Sequence, residues 1–465
     1  MAGLSSILTT ARDALSAQSF ALSVTGQNIT NASTPQYVRR DPLLETRALG
    51  NQTTGSVAVV GIRQAADAYL DRAYFLANSN HSAASQYDSE LQSIEELFND
   101  LSNTGLSTSL DAIFKSFEQL SARPNDKTVR TELLDRMDVF AARVREVGNT
   151  LAARKTDILD RARGLATQIN ERSTEIADLN RQITSEKQAG RDAADLVDRR
   201  NTKILALSEL IDVQTIATEN GGVMIRSSGT TLIEGGFSRN ISVSLDANDG
   251  LMILASRADG SDPATNVTSF LSGGKLWALK EARDGTLTDV ANRLDEFAFD
   301  VANALNQQHR IGFGLDGSTG KNLFDITPTE DGAAQAIRVS TDVLGQPDSI
   351  AASDTATNIP GGSSNAVLIA QLANSPSIAG GSTPSQAYAN IVGNIGVVRA
   401  AATADVQLRQ DIFTQAQSAR ESVSGVNLDE EMVNLTKYQR AYEAASKVIT
   451  TVDELMQRLI NTVGT

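Results

Sequence analysis

Near the start of the chain Leu8, Leu15, Leu22 and Ile29 repeat every seven residues, with Leu4 and Ala11 beside the line. Arg12 and Asp13 are the only charged residues before Arg39. The spacing predicts a helix with one apolar stripe. A solitary surface helix normally carries a charged face, which favours reading this stripe as an assembly seam over the alternative, an intramolecular core stripe. At the far end Asn427 can cap a helix whose third residue is Glu430, with Asp429 and Glu431 also in the positive first turn. Beyond Leu435, a stripe through Tyr438, Tyr442, Ala445, Ile449, Val452, Met456, Leu459 and Val463 alternates steps of three and four. The two terminal heptad helices are natural partners in a coiled coil.

Between them the prolines punctuate the chain, and none falls between Pro124 and Pro263 or after Pro384. In the first of these tracts Val144, Val147, Leu151, Ile158, Ala162, Leu165, Ile169, Ile176, Leu179 and Ile183 form a heptad seam, predicting a rod of about 60 Å at 1.5 Å per residue. Arg154, Lys155, Arg172 and Ser173 interrupt it, which favours a bundle over an unbroken two-stranded coil. After Ile211 short β-branched runs (Val213–Ala217, Val223–Arg226, Thr230–Ile233, Ile241–Leu245, Leu251–Ala255) are divided by glycine-rich turns, the pattern of a small antiparallel module. Helical spacing returns at Leu276, Leu279, Val290, Leu294, Phe297, Val301 and Leu305. Residues 312–365 read as loops with a few strands. Thr383-Pro384-Ser385-Gln386 then supplies a cap, a first-position proline and a third-position glutamine for a helix to about Ser424.

Composition narrows the chemistry. With 465 residues the chain is long enough for two to four domains. Its net charge of −15 repels phosphate backbones and anionic lipid, so nucleic acid is not an expected partner. No apolar run reaches the length of a membrane span. Without cysteine, and with only His81 and His309, thiolate nucleophiles, iron–sulfur clusters and imidazole metal clusters are excluded. No catalytic, cofactor-binding or metal residue is assigned. Gly317-Ser318-Thr319-Gly320-Lys321 fails the phosphate-loop pattern because Leu315 and Asn322 occupy its required positions. Asp246-Ala247-Asn248-Asp249-Gly250 fails the calcium-loop pattern, with Arg257 at the twelfth position. Both read as turns. Trp277 reads as a packing anchor.

The stretch Asn28-Ile29-Thr30-Asn31-Ala32-Ser33-Thr34-Pro35-Gln36-Tyr37-Val38-Arg39 resembles the N-terminal signature of flagellar rod, hook and hook-associated proteins, with Gln36 at the usual glycine and Thr30 at the usual alanine. Ser424-Gly425-Val426-Asn427-Leu428-Asp429-Glu430-Glu431-Met432, followed by Lys437-Tyr438-Gln439-Arg440-Ala441-Tyr442, resembles the C-terminal signature of the FlgK family of the hook–filament junction. Asp195-Leu196-Val197-Asp198-Arg199-Arg200 and Gly314-Leu315-Asp316-Gly317, leading to Leu323-Phe324, are similar to interior stretches of that family.

The resemblance implies a secreted axial protein, mainly α with a β insertion: terminal heptad helices paired as a coiled coil, a long helical bundle body and a small antiparallel β outer module. The expected domains are 1–38 with 425–465 as the terminal core, 39–211 with 273–311 and 383–424 as the bundle, and 212–272 with 312–382 as the β-rich module. The expected seam is Leu8, Leu15, Leu22, Ile29, Leu435, Tyr438, Tyr442, Ile449, Val452, Met456 and Leu459. The implied function is structural, with no enzyme activity and no cofactor, in a ring of identical copies. Implied partners are the hook protein, the second junction hook-associated protein and a cytoplasmic export chaperone. The lack of a Sec-type start implies release through flagellar type III export to the extracellular flagellum. Alternatives are a hook or distal rod protein, a flagellum-associated wall hydrolase using Asp316, Asp325, Glu330 and Asp331, or a helical signalling rod.

Overall fold

The computed structural model describes residues 2–48, 55–98, 105–257, 260–378 and 380–463. Helix α1 (Ala2–Asn31) leads through the signature loop into a hairpin of β1 (Arg40–Ala48) and β2 (Gly55–Gln64). The sequence pattern predicts a helical body directly after residue 38. Instead the hairpin packs on α1. Its signal is the β-branched run Val57, Val59, Val60, Ile62, and Pro42 is tolerated because a two-stranded sheet consists only of edges.

The body begins with α2 (Ala68–Leu97), capped by Asp67, and α3 (Leu106–Ala122). Helix α4 (Lys127–Gln188) follows, with Asp126 accepting from the backbone N–H of Thr128 at 2.9 Å. Its 62 residues span about 93 Å, and the predicted seam is buried from Val144 to Ile183 apart from half-buried Leu165. After a turn at Gly190, α5 (Ala194–Leu210) folds back on α4.

A six-stranded antiparallel sheet runs in sequence order: β3 (Gln214–Ala217), β4 (Val223–Ser227), β5 (Thr230–Glu234), β6 (Phe237–Leu245), β7 (Leu251–Arg257) and β8 (Thr265–Asn266). Two asparagines of α4 tie it down. The Asn170 carboxamide donates to Ile241 O at 2.9 Å and accepts from Ile241 N–H at 2.7 Å. Asn180 treats Val223 the same way, at 2.8 and 3.1 Å. Each carboxamide stands in for a strand residue and satisfies backbone groups that the helix would otherwise strand without partners. Asp246 accepts from Asn248 and Gly250 N–H in the β6–β7 turn.

Helix α6 (Gly274–Lys280) runs through a π-helical segment at Glu281–Leu287 into α7 (Thr288–Arg310), which accounts for the gap in helical spacing between Leu279 and Val290. Trp277 meets Tyr87, ring centroids 6.2 Å apart. The short elements β9 (Phe324–Asp325), α8 (Ala333–Ala336), β10 (Arg338–Val339) and α9 (Ser364–Gln371) pack on α3, α4 and α7. The sequence pattern groups residues 312–382 with the β module. They belong to the bundle because their apolar residues cover it, Phe324 lying edge-on to Phe140 at 6.1 Å. Asp316 holds the Gly317–Gly320 turn through Ser318.

Helix α10 (Pro384–Ser424) opens on the predicted reciprocal cap, Thr383 Oγ1 accepting from Gln386 N–H and Gln386 Oε1 from Thr383 N–H. It lies along α2, where Phe413 stacks on Tyr74 and His81. Helix α11 (Leu428–Val463) ends the described chain, with Asn427 accepting from Asp429 N–H at 3.0 Å.

Candidate assembly interface

Helices α1 and α11 form an antiparallel pair, Asn28 near the end of one meeting Glu431 at the start of the other. The buried arc of α1 contains Ala17, Ala21, Val24, Thr25 and Asn28. These small residues let the backbones approach closely. The leucine stripe flanks this arc on one side. Leu22 and Ile29 follow Ala21 and Asn28 by one residue, about 100° around a helix, and Leu8, Leu15, Leu22 and Ile29 are all partly buried.

On α11 the residues of the expected seam differ in burial. Val452 is buried, and Leu435, Tyr438, Ile449 and Met456 are partly buried, while Tyr442 and Leu459 stand exposed. The deepest-buried residues of α1 thus form an alanine-rich face that the leucine pattern did not single out. Its signal was the three–four spacing of Ala17, Ala21, Val24 and Asn28. Exposed apolar residues remain on α11, among them Met432, Val433, Leu455 and Ile460.

The pair is fastened to the body where the signature stretches meet. Asn28 is 1% exposed. Its Oδ1 accepts from Tyr37 Oη at 2.9 Å and from Arg40 N–H at 3.0 Å, and its Nδ2 donates to Arg40 O at 2.9 Å and to Glu431 Oε2 at 3.1 Å. Both its donor and acceptor capacities are filled, as a buried carboxamide requires. Burial pushes the Glu431 carboxyl up from its ordinary value, opposed by the hydrogen bond from Asn28.

Arg40, 5% exposed, reaches the body through Asp195 at 2.6 Å and Asp198 at 2.8 Å, with its guanidinium 4.9 Å from the Tyr37 ring. Gln64 also donates to Asp198, at 2.7 Å. Burial pushes Asp198 up, and the Arg40 charge and hydrogen bond work to keep it ionised. The interior stretch containing Asp195 and Asp198 is thereby tied to the N-terminal signature.

Around this junction Arg39 N–H donates to Ser424 O at 2.9 Å and its guanidinium to Glu430 at 3.1 Å. Arg420 pairs with Asp71 at 2.6 Å. Gln36 takes a left-handed φ of 64°, so the turn survives without the glycine that would form it most readily. A cavity of about 910 Å³ opens beside Pro35, Gln36, Tyr74 and Arg420. Among the described residues no group of three or more His, Asp or Glu is placed to hold a metal ion, and no helix is long and apolar enough to cross a membrane. Asp325 binds Arg338 and Thr341 N–H.

Residues 91–324 match the family model of the flagellar hook-associated protein FlgK helical domain. The chain belongs to the FlgK family. Residues 417–462 match the model of the flagellar basal body rod FlgEFG protein C-terminal region, so α11 also carries a pattern shared with rod proteins. This FlgK-family chain is 28% identical to flagellar hook-associated protein 1 of Bacillus subtilis over 504 aligned positions, covering 98% of each protein. It is 23% identical to flagellar hook-associated protein 1 of Salmonella typhimurium, covering 98% of this chain and 100% of the relative. Its fold matches the flagellar hook junction protein FlgK of Burkholderia pseudomallei with a TM-score of 0.67 and 16% identity, covering 77% of this chain and 100% of that one.

Proposed function

We propose that this chain is a structural subunit of the bacterial flagellum, one of a ring of identical copies joining hook to filament through α1 and α11. The carrying observation is that α1 packs along α11 and leaves Leu8, Leu15, Leu22 and Ile29 only partly buried. A leucine stripe left partly uncovered on an almost uncharged helix gains a further fraction of the about 1.5–3 kcal/mol that full burial supplies per side chain when a neighbour covers it. Membership of the FlgK family supports the location in the flagellum. The predominance of helix over strand favours the junction reading over a hook protein, for which the resemblance implies a mainly β exterior.

The neighbours in this reading are the hook protein on one side and the second junction hook-associated protein on the other. Before export through the flagellar type III route, a cytoplasmic chaperone would cover the exposed apolar residues of α11, in the manner of a helix in a groove. No enzymatic role is assigned. Electron microscopy of a strain lacking the chain tests the function: bare hooks are expected, and filaments of normal number on those hooks would overturn it.

A further inference from the structure

The β module contains a cavity that the assembly function does not use. Strands β5 and β6 pair only through Ile233 with Ser238 and Glu234 with Phe237. Beyond those two pairs β5 follows β4 and β6 follows β7, leaving a wedge closed at the back by α4. The resulting cavity is about 840 Å³, within the range of small-molecule sites. None of the residues lining it belongs to α1 or α11.

We propose that this wedge binds a neutral oligosaccharide. Its floor is apolar, formed by Leu232 and Ala177, both at most 2% exposed. At its mouth the Phe237 ring is 82% exposed, the most exposed large apolar side chain among the described residues. An aromatic face left uncovered beside a cavity is suited to the C–H face of a sugar ring.

The polar groups fit the same ligand. Arg239 and Arg257 both bind Asp262, at 3.3 and 3.2 Å. Arg181 pairs with Asp178 and lies across the β5–β6 turn, donating to Gly236 O at 2.8 Å. A β-carbon at Gly236 would overlap the Arg181 side chain, so the glycine is what lets the arginine close this wall. Every guanidinium at the mouth therefore already has a carboxylate, and the site does not select an anion. It offers fixed donors beside fixed acceptors, with the hydroxyls of Thr230, Thr231 and Ser238 between them. Vicinal sugar hydroxyls, which donate and accept at once, match that arrangement.

Saturation-transfer NMR on the full chain, with cellobiose, maltose, lactose and chitobiose as probes, tests the site. At least one disaccharide is expected to show transfer at millimolar concentration, and Phe237→Ala is expected to weaken it about tenfold or more. Circular dichroism should show the variant folded, since Phe237 is exposed. No transfer from any of the four, or transfer that Phe237→Ala leaves unchanged, overturns the proposal. So does stronger binding of galacturonate than of galactose, which would mean that the arginines act as free cations.

Discussion

The Asn28 carboxamide donates to the Glu431 carboxylate at 3.1 Å across 403 residues of sequence, so the two terminal signatures are halves of one buried hydrogen-bonded unit. Removing the amide leaves Arg40 N–H, Arg40 O and Tyr37 Oη to find other partners. Each buried polar group left unsatisfied costs about 1–3 kcal/mol. Asn28→Ala should destabilise by about 2–4 kcal/mol, while Glu431→Gln, which keeps an acceptor and removes a buried charge, should change stability by less than about 1 kcal/mol. Urea denaturation of both variants, with hydrogen exchange across residues 2–31, checks the contrast.

The two carboxylates on Arg40 are unequal. The Asp198 side chain is 13% exposed and that of Asp195 is 84% exposed. Losing an exposed partner costs about 0–1 kcal/mol, whereas stranding a buried charge costs about 3–5 kcal/mol. Arg40→Ala should therefore cost several-fold more than Asp195→Ala, and Asp198→Asn in the Arg40→Ala background should recover part of the loss. Equal costs for Arg40→Ala and Asp195→Ala would contradict the assignment of Asp198 as the principal partner.

Gln36 holds a φ of 64°, and its Oε1 is buried without a hydrogen-bond partner. A left-handed conformation costs a side chain about 1–2 kcal/mol, which exceeds its long 3.4 Å contact from Nε2 to Tyr74 Oη. Gln36→Gly should raise the melting temperature, corresponding to about 1 kcal/mol after glycine's greater unfolded-state freedom is discounted. A lowered melting temperature would mean that the Tyr74 contact outweighs the backbone strain.

His309 is 1% exposed, with Nδ1 on Lys321 O and Nε2 accepting from Ala351 N–H, both at 2.7 Å. Burial holds its pKa down to about 4 from 6.5. Below pH 6.5 the unfolded chain therefore takes up a proton that the folded chain refuses. The stabilisation is fully present above pH 6.5 and is lost progressively as pH falls toward 4, about 3 kcal/mol in all. Chemical denaturation between pH 4 and 7 should show this slope, and His309→Gln should flatten it whatever its own stability.

Leu15 and Ala21 separate assembly from packing. Leu15 is only partly buried in the free chain, whereas Ala21 is 0% exposed. Leu15→Asp should shift monomer melting little yet abolish motility. Ala21→Leu should destabilise the pair by about 1–3 kcal/mol through overpacking. Full motility with Leu15→Asp would remove that stripe from the assembly seam.

The sequence by itself determined what depends on neighbours a few residues apart. Helical spacing, the Thr383–Gln386 and Asn427 caps, and the glycine-divided β runs each stabilise their own element, so α4, α10, α11 and the sheet were legible before any tertiary contact was known. The heptad stripes also announced that α1 and α11 would pair. Which face of α1 turns inward was decided only by tertiary structure. Leucine and alanine stripes are both periodic, and the one that lets two backbones approach while Asn28 reaches Glu431 is the alanine one. The attachment of Arg40 to Asp198 was likewise invisible, since 158 residues separate them and no local rule pairs charges at that range. Residues 312–382 went to the bundle rather than the sheet for the same reason: turn-rich segments carry little periodicity of their own, and their place is set by the apolar surface, here Phe140, that they must cover.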